Sequence, residues 1–177
     1  MGWNSWDCFG AAVNERQLLE NADYMAKYLK PFGWEYIICD IQWYEPLAKN
    51  NDYNNFYPLN IDEYGRLLPA ENRFPSAAGG KGFKPIADYC HSLGLKFGIH
   101  IMRGVPRSAV HQNLPVKGSE LSCRDIAHHF SVCSWNTDMY GCKNCEASQQ
   151  YYNSIFQLYA SWGVDFVKCD DICVTEF

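Results

Sequence analysis

Short apolar runs alternate along this chain with longer stretches whose apolar residues recur every three or four positions. Residues 1–6, Met-Gly-Trp-Asn-Ser-Trp, are short and apolar enough to predict a first strand. Asn14 with Gln17 three residues on has the spacing of a capping box. Behind it Leu18, Ala22, Met25, Ala26 and Leu29 recur at helical intervals and predict one buried face, with Pro31 and Gly33 ending the helix. Residues 36–41, Tyr-Ile-Ile-Cys-Asp-Ile, are nearly all apolar with one acid near the end, as in a strand covered on both faces of a parallel sheet. Residues 43–82 have no period and are rich in Asn, Pro, Tyr and Gly, which predicts a long, functional loop. A short helix is expected over 83–93 with Gly94 as its stop, then a third strand over 95–102. Residues 103–145 read as irregular. A third helix over 146–162 carries Tyr152, Ile155, Phe156, Tyr159 and Trp162 on one stripe and ends at Gly163, and a fourth strand covers 164–170.

The order β-α-β-α-β-α-β demands parallel pairing. Two folds satisfy it: a doubly wound sheet, or part of a (β/α)8 TIM barrel. The long segments follow the strand C-termini, after Trp43, Met102 and Asp170, while the connections leading into strands are short. A barrel with its active site on the C-terminal face has that asymmetry. No Gly-x-Gly-x-x-Gly follows any strand, which weighs against dinucleotide binding. A whole barrel takes about 250 residues. Residues 1–177 are therefore expected to form the N-terminal half of a barrel domain, about its first four βα units. Such a half leaves two open sheet edges, which predicts self-association.

Composition narrows the class. Of 177 residues, 47% are apolar and 16% aromatic, which is globular rather than disordered, and supplies rings suited to sugars as well as to a core. The net charge of −5, without a basic patch, argues against nucleic acid. No apolar run approaches the roughly 20 residues of a membrane span, and no signal peptide opens the chain. Nine cysteines cannot all pair, so reduced thiols and a cytoplasmic location are expected. Cys142 and Cys145 form a lone CxxC, too little to predict zinc. Neither metal nor cofactor is expected.

The candidate chemistry gathers at strand ends. Lys168 and Asp170 alternate onto the same face of the fourth strand, with Asp171 opposite if the strand runs that far. The lysine would favour the ionised Asp170, as a glycosyl-transfer nucleophile requires; a structural Lys–Asp pair is the competing reading. Asp40 ends the second strand, where it could accept from sugar hydroxyls or serve as a turn acid. Trp6 and Trp43 could wall a pocket or pack in the core. His100 ends the third strand, as a structural or a binding residue. Polar groups at three strand ends are stronger evidence together than singly.

These residues also carry a resemblance. The opening Met-Gly-Trp-Asn-Ser-Trp is similar to the first-strand signature of glycoside hydrolase clan D, the α-galactosidase (melibiase) family. Cys39-Asp40-Ile41-Gln42-Trp43 resembles its strand-two motif, usually Asp-Asp-Cys-Trp. Gly65-Arg66-Leu67 and Arg73-Phe74-Pro75 resemble the loop that follows. Residues 94–100 resemble strand three, which usually ends in tyrosine, and 162–170 resemble strand four, usually Lys-Tyr-Asp. The motifs run in the family's order through nearly the whole chain.

The resemblance implies a (β/α)8 barrel and a retaining exo-glycosidase for terminal α-D-galactosides or a close relative. Asp170 would be the nucleophile. Lys168 and Asp40 would bind sugar hydroxyls and Trp6 would line the sugar pocket, with His100 in the place of the tyrosine; Trp43 remains a candidate binding residue by its position after the second strand. The family's acid/base lies on a later strand and has no counterpart here, so this chain alone is expected to be inactive. Ile41 replaces a carboxylate that holds sugar hydroxyls, which brings in a β-L-arabinopyranoside, lacking the hydroxymethyl group, or an α-N-acetylgalactosaminide. The segment at Trp135 to Asp138 reads as a plus-side subsite or as a loop packed on the rim. Two other readings compete: a carbohydrate-binding half-barrel without catalysis, and an aldolase-like barrel using Lys168.

Overall fold

The computed structural model describes residues 1–50, 52–54 and 57–172. Four parallel strands form its main sheet: β1 (Gly2–Asn4), β2 (Tyr36–Cys39), β3 (Lys96–Met102) and, last in the chain, a strand over Phe166–Asp170. They pair in sequence order. The first strand is shorter than its apolar pattern suggests. The chain turns at Ser5, and Trp6 opens a helical turn, α1 (Trp6–Phe9).

The first long helix, α2 (Glu15–Tyr24), starts where its capping box places it: the Asn14 side chain accepts from the Gln17 amide at 3.1 Å, and the Asn14 amide donates to the Gln17 side chain at 3.0 Å. It continues as a wider π-helical turn over Met25–Leu29. Leu18, Ala22 and Met25 lie on its buried face. The next helix, α3 (Lys84–Ser92), buries Ile86, Ala87 and Cys90 and ends at Gly94, whose φ of 68° suits a residue without a Cβ.

Residues 103–145 are more ordered than their sequence suggests. They hold β4 (Val105–Pro106), α4 (Arg107–Gln112), α5 (Cys123–Ile126), β5 (Ala127–Val132) and β6 (Met139–Cys142). The three strands form a separate antiparallel sheet in the order β4-β6-β5. A two-residue strand and a register shift between His128 and Val132 break the alternation by which such strands are recognised in sequence.

The last helix, α6 (Glu146–Ser161), precedes β7 (Phe166–Asp170). Its buried stripe runs through Tyr151, Ile155 and Tyr159 to Trp162. Tyr152 lies beside that stripe, half-buried, and Phe156 faces outward at 46% exposure, because both sit about 100° round the helix from their buried neighbours. The core packs Trp43, Phe74, Phe83, Phe97, Tyr159 and Trp162 edge to face between sheet and helices. No helix among the described residues is long and apolar enough to cross a membrane.

Candidate active site

Strand register gathers the predicted residues. His100 of β3 stands opposite Lys168 of β7, and Met102 opposite Asp170. Asp40 follows β2 directly and is buried. Its Oδ2 accepts from Lys168 Nζ at 2.9 Å and from the Asn4 amide group at 2.6 Å. Its Oδ1 accepts from the Ile41 backbone N–H at 2.8 Å. Asn4 also receives a hydrogen bond from the Trp6 backbone N–H on its Oδ1, so one side chain holds both the carboxylate and the turn that carries the Trp6 indole after β1. The sequence reading missed Asn4; its place two residues before Trp6, inside the first motif, was the available signal.

Lys168 lies 3.9 Å from Asp170 as well as 2.9 Å from Asp40, and thus faces two carboxylates. Asp170 remains 39% exposed. Its Oδ1 accepts from the Asp171 backbone N–H at 3.0 Å, and its Oδ2 lies 3.3 Å from His100 Nε2. Burial pushes the Asp170 pKa upward, but the Asp171 amide, His100 and Lys168 together outweigh it and hold the carboxyl below its ordinary value of 3.8. Asp170 is thus an ionised, partly accessible carboxylate.

His100 is fully buried. Burial is the largest influence on its pKa and, with Lys168, lowers it below 6.5 against the opposing pull of Asp40 and Asp170. A neutral imidazole beside a carboxylate carries its proton on the facing nitrogen, here Nε2.

The fourth strand ends before Asp171, as the sequence places it. Strand β7 stops at Asp170, and Asp171 enters the left-handed region with φ 61°. That turn brings its N–H back onto the Asp170 carboxylate. Its side chain pairs with Arg103 at 2.9 Å, and Arg103 Nε also donates to its carbonyl at 2.8 Å.

Trp43 needs correction. It is fully enclosed among Tyr44, Phe83, Tyr159 and Trp162, and its Nε1 donates to the His100 carbonyl at 2.7 Å. It supports the end of β3 from the helix side and lines no pocket. Trp6 is partly exposed and stacks on Tyr53 with ring centroids 5.9 Å apart. The loop motif has a structural explanation: Arg73 donates to the carbonyls of Gln42, Glu45, Ala11 and Val13, tying the segments after β1 and β2 together.

Among the described residues, eight cysteines carry free thiols, and no cluster of three or more metal-ligating side chains is present. What the site offers is an ionised carboxylate beside a cation, a second carboxylate locked by that cation, a neutral imidazole and a nearby indole.

No family model matches the chain. It is 31% identical over 172 residues to an α-galactosidase of Coffea arabica, covering 97% of this chain and 32% of that protein. It is 33% identical to an α-galactosidase of Cyamopsis tetragonoloba, over 82% of this chain and 30% of that protein. A crystal structure of a GH27 β-L-arabinopyranosidase from Geobacillus stearothermophilus superposes with a TM-score of 0.97 at 66% identity, covering 99% of this chain and 41% of that one. The chain thus spans about a third of the curated relatives it matches. Motif order, strand-end geometry and these similarities converge: the chain belongs to the α-galactosidase family of glycoside hydrolases, GH27.

Proposed function

We propose that residues 1–177 form the first half of a (β/α)8 catalytic barrel and bring the nucleophile to a retaining exo-glycosidase acting on terminal α-D-galactosides and closely related pyranosides. Asp170 attacks the anomeric carbon and a glycosyl ester forms on its carboxylate. A carboxylic acid outside this chain protonates the departing oxygen, then activates the water that cleaves the ester. Lys168 and Asp40 bind sugar hydroxyls, Trp6 lines the sugar face, and His100 holds Asp170 in place. The observation that carries this reading is the state of Asp170: ionised, 39% exposed and fixed by the Asp171 amide, His100 and Lys168. A carboxylate serving only to close the strand has no need of exposure.

Ile41 refines the substrate. It directly follows Asp40, is buried, and offers no hydrogen-bond acceptor on its side chain. A hydroxymethyl group there would lose its polar partner, whereas β-L-arabinopyranose has none to place. The 66% identical neighbour bears the name of an enzyme for that sugar. Among related glycosides, the β-L-arabinopyranoside is therefore favoured.

The test is hydrolysis of p-nitrophenyl β-L-arabinopyranoside, α-galactoside and α-N-acetylgalactosaminide by the full-length protein. The highest kcat/KM is expected on the first. No hydrolysis of any of the three would leave a carbohydrate-binding protein without catalysis.

A further inference from the structure

Between β5 and β6 the chain makes a short excursion, residues 133–138, that the mechanism above does not use. Both of its ends are tied to the site. At the β5 end Ser131 accepts from Arg103 Nη1 at 2.9 Å, and the same guanidinium pairs with Asp171, the residue after the nucleophile. At the β6 end the buried carboxylate of Asp138 accepts from the Gln42 side-chain amide at 2.6 Å and from the Tyr44 hydroxyl at 3.1 Å. Gln42 lies two residues beyond Asp40. The excursion thus spans from the end of β7 to the end of β2.

At its apex stands Trp135. Its neighbours Cys133, Asn136 and Asp138 are buried, yet the indole is 44% exposed. It contacts Tyr53 with ring centroids 5.8 Å apart, and Tyr53 in turn stacks on Trp6 at 5.9 Å. The three rings make a continuous row beginning at the indole assigned to the sugar face. Tyr53 also feels the site's charge: burial first, then Asp40, Asp170 and Asp138, push its hydroxyl up to about 12, so it stays a donor. The last residues of the excursion, Thr137 and Asp138, also line a cavity of about 450 Å³ together with Tyr57, Arg107 and His111, a volume within the range of small-ligand sites.

From this placement we infer that Trp135, backed by Tyr53, is a stacking platform for the sugar on the leaving side of the scissile bond, so that the natural substrate carries a saccharide as its leaving group. The inference rests on the proposed glycosidase reading. The groups assigned to the reacting sugar stand at the ends of the strands themselves. Trp135 comes from the excursion tied to the ends of β2 and β7, where the remainder of a substrate must leave an exo-acting pocket. An exposed indole on a rigid, doubly anchored loop offers apolar area at little conformational cost, as carbohydrate stacking requires.

The test compares two substrates with the same reacting sugar in the full-length protein: β-L-arabinopyranosyl fluoride, which has no leaving-side sugar, and a disaccharide of β-L-arabinopyranose. The readout is the ratio of kcat/KM for the disaccharide to that for the fluoride. Trp135→Ala is expected to lower this ratio about tenfold, and Trp135→Phe to restore most of it. A ratio within twofold of wild type in Trp135→Ala overturns the platform, whether both rates fall together or neither falls. A wild-type protein that cleaves neither the fluoride nor α-galactosyl fluoride overturns the glycosidase reading itself, and the platform falls with it.

Discussion

At the scale of single residues, the site depends on two groups whose charge is set by their surroundings: burial keeps His100 neutral, and the Asp171 amide, His100 and Lys168 keep Asp170 ionised. Asp170→Asn keeps the shape of the nucleophile and removes its charge. The full-length variant should lose roughly 10³-fold or more in kcat while its melting temperature and sugar affinity change little; near-normal turnover would disqualify Asp170. His100 gives a pH dependence whose sign follows from its lowered pKa. The unfolded chain binds a proton near pH 6.5 that the folded protein resists, so the stability due to neutral His100 is present above pH 6.5 and is lost as pH falls below it. Denaturant titrations at pH 7.5 and 5.5 should show wild type losing more stability on acidification than His100→Gln. Equal losses would mean that His100 is not the titrating group.

At the scale of elements, packing explains motifs that the sequence presents only as strings. Arg73 replaces the missing partners of four backbone carbonyls on two separate segments. Lysine cannot reproduce that planar fork. Arg73→Lys should cost about 2–3 kcal/mol in equilibrium unfolding; a cost under half that would show the segments hold without it. Trp43→Phe removes the hydrogen bond to the His100 carbonyl and part of the ring cluster, for about 2 kcal/mol on the same measurement. Much of this architecture was legible beforehand. Asn14 and Gln17 announce the start of α2 because a cap is a local interaction. Asp40, His100, Lys168 and Asp170 stand out because a charged or polar residue ending an apolar run has few structural uses. The antiparallel sheet was not legible, since a strand of two residues and a shifted register leave no period to detect. Nor were Asn4 and Tyr53, whose partners lie far away in sequence. Trp43 misled because a tryptophan just past a strand end can turn toward either face, and the His100 carbonyl draws it to the core.

At the scale of the whole molecule, the order β1-β2-β3-β7 leaves the outer edges of β1 and β7 without a strand partner among the described residues. Phe166 on β7 is 43% exposed, and Ile172 just beyond it 56%. The isolated 177-residue chain should therefore associate with itself, eluting above monomer mass in size exclusion with light scattering and binding a hydrophobic dye. The full-length protein should do neither through these edges. A monodisperse, dye-silent 177-residue chain would show that its edges are protected from within.

The position of Lys168 between two carboxylates has an electrical consequence over the proposed reaction cycle. Asp40, Asp170 and Lys168 together carry one net negative charge when the site is empty, since His100 is held neutral. A sugar approaching the oxocarbenium state brings one developing positive charge. That charge arises beside a cluster of opposite sign, while the matching negative charge goes to the departing oxygen and to the acid that protonates it. Fixed groups whose net charge opposes the one that develops favour the transition state over the bound, uncharged sugar.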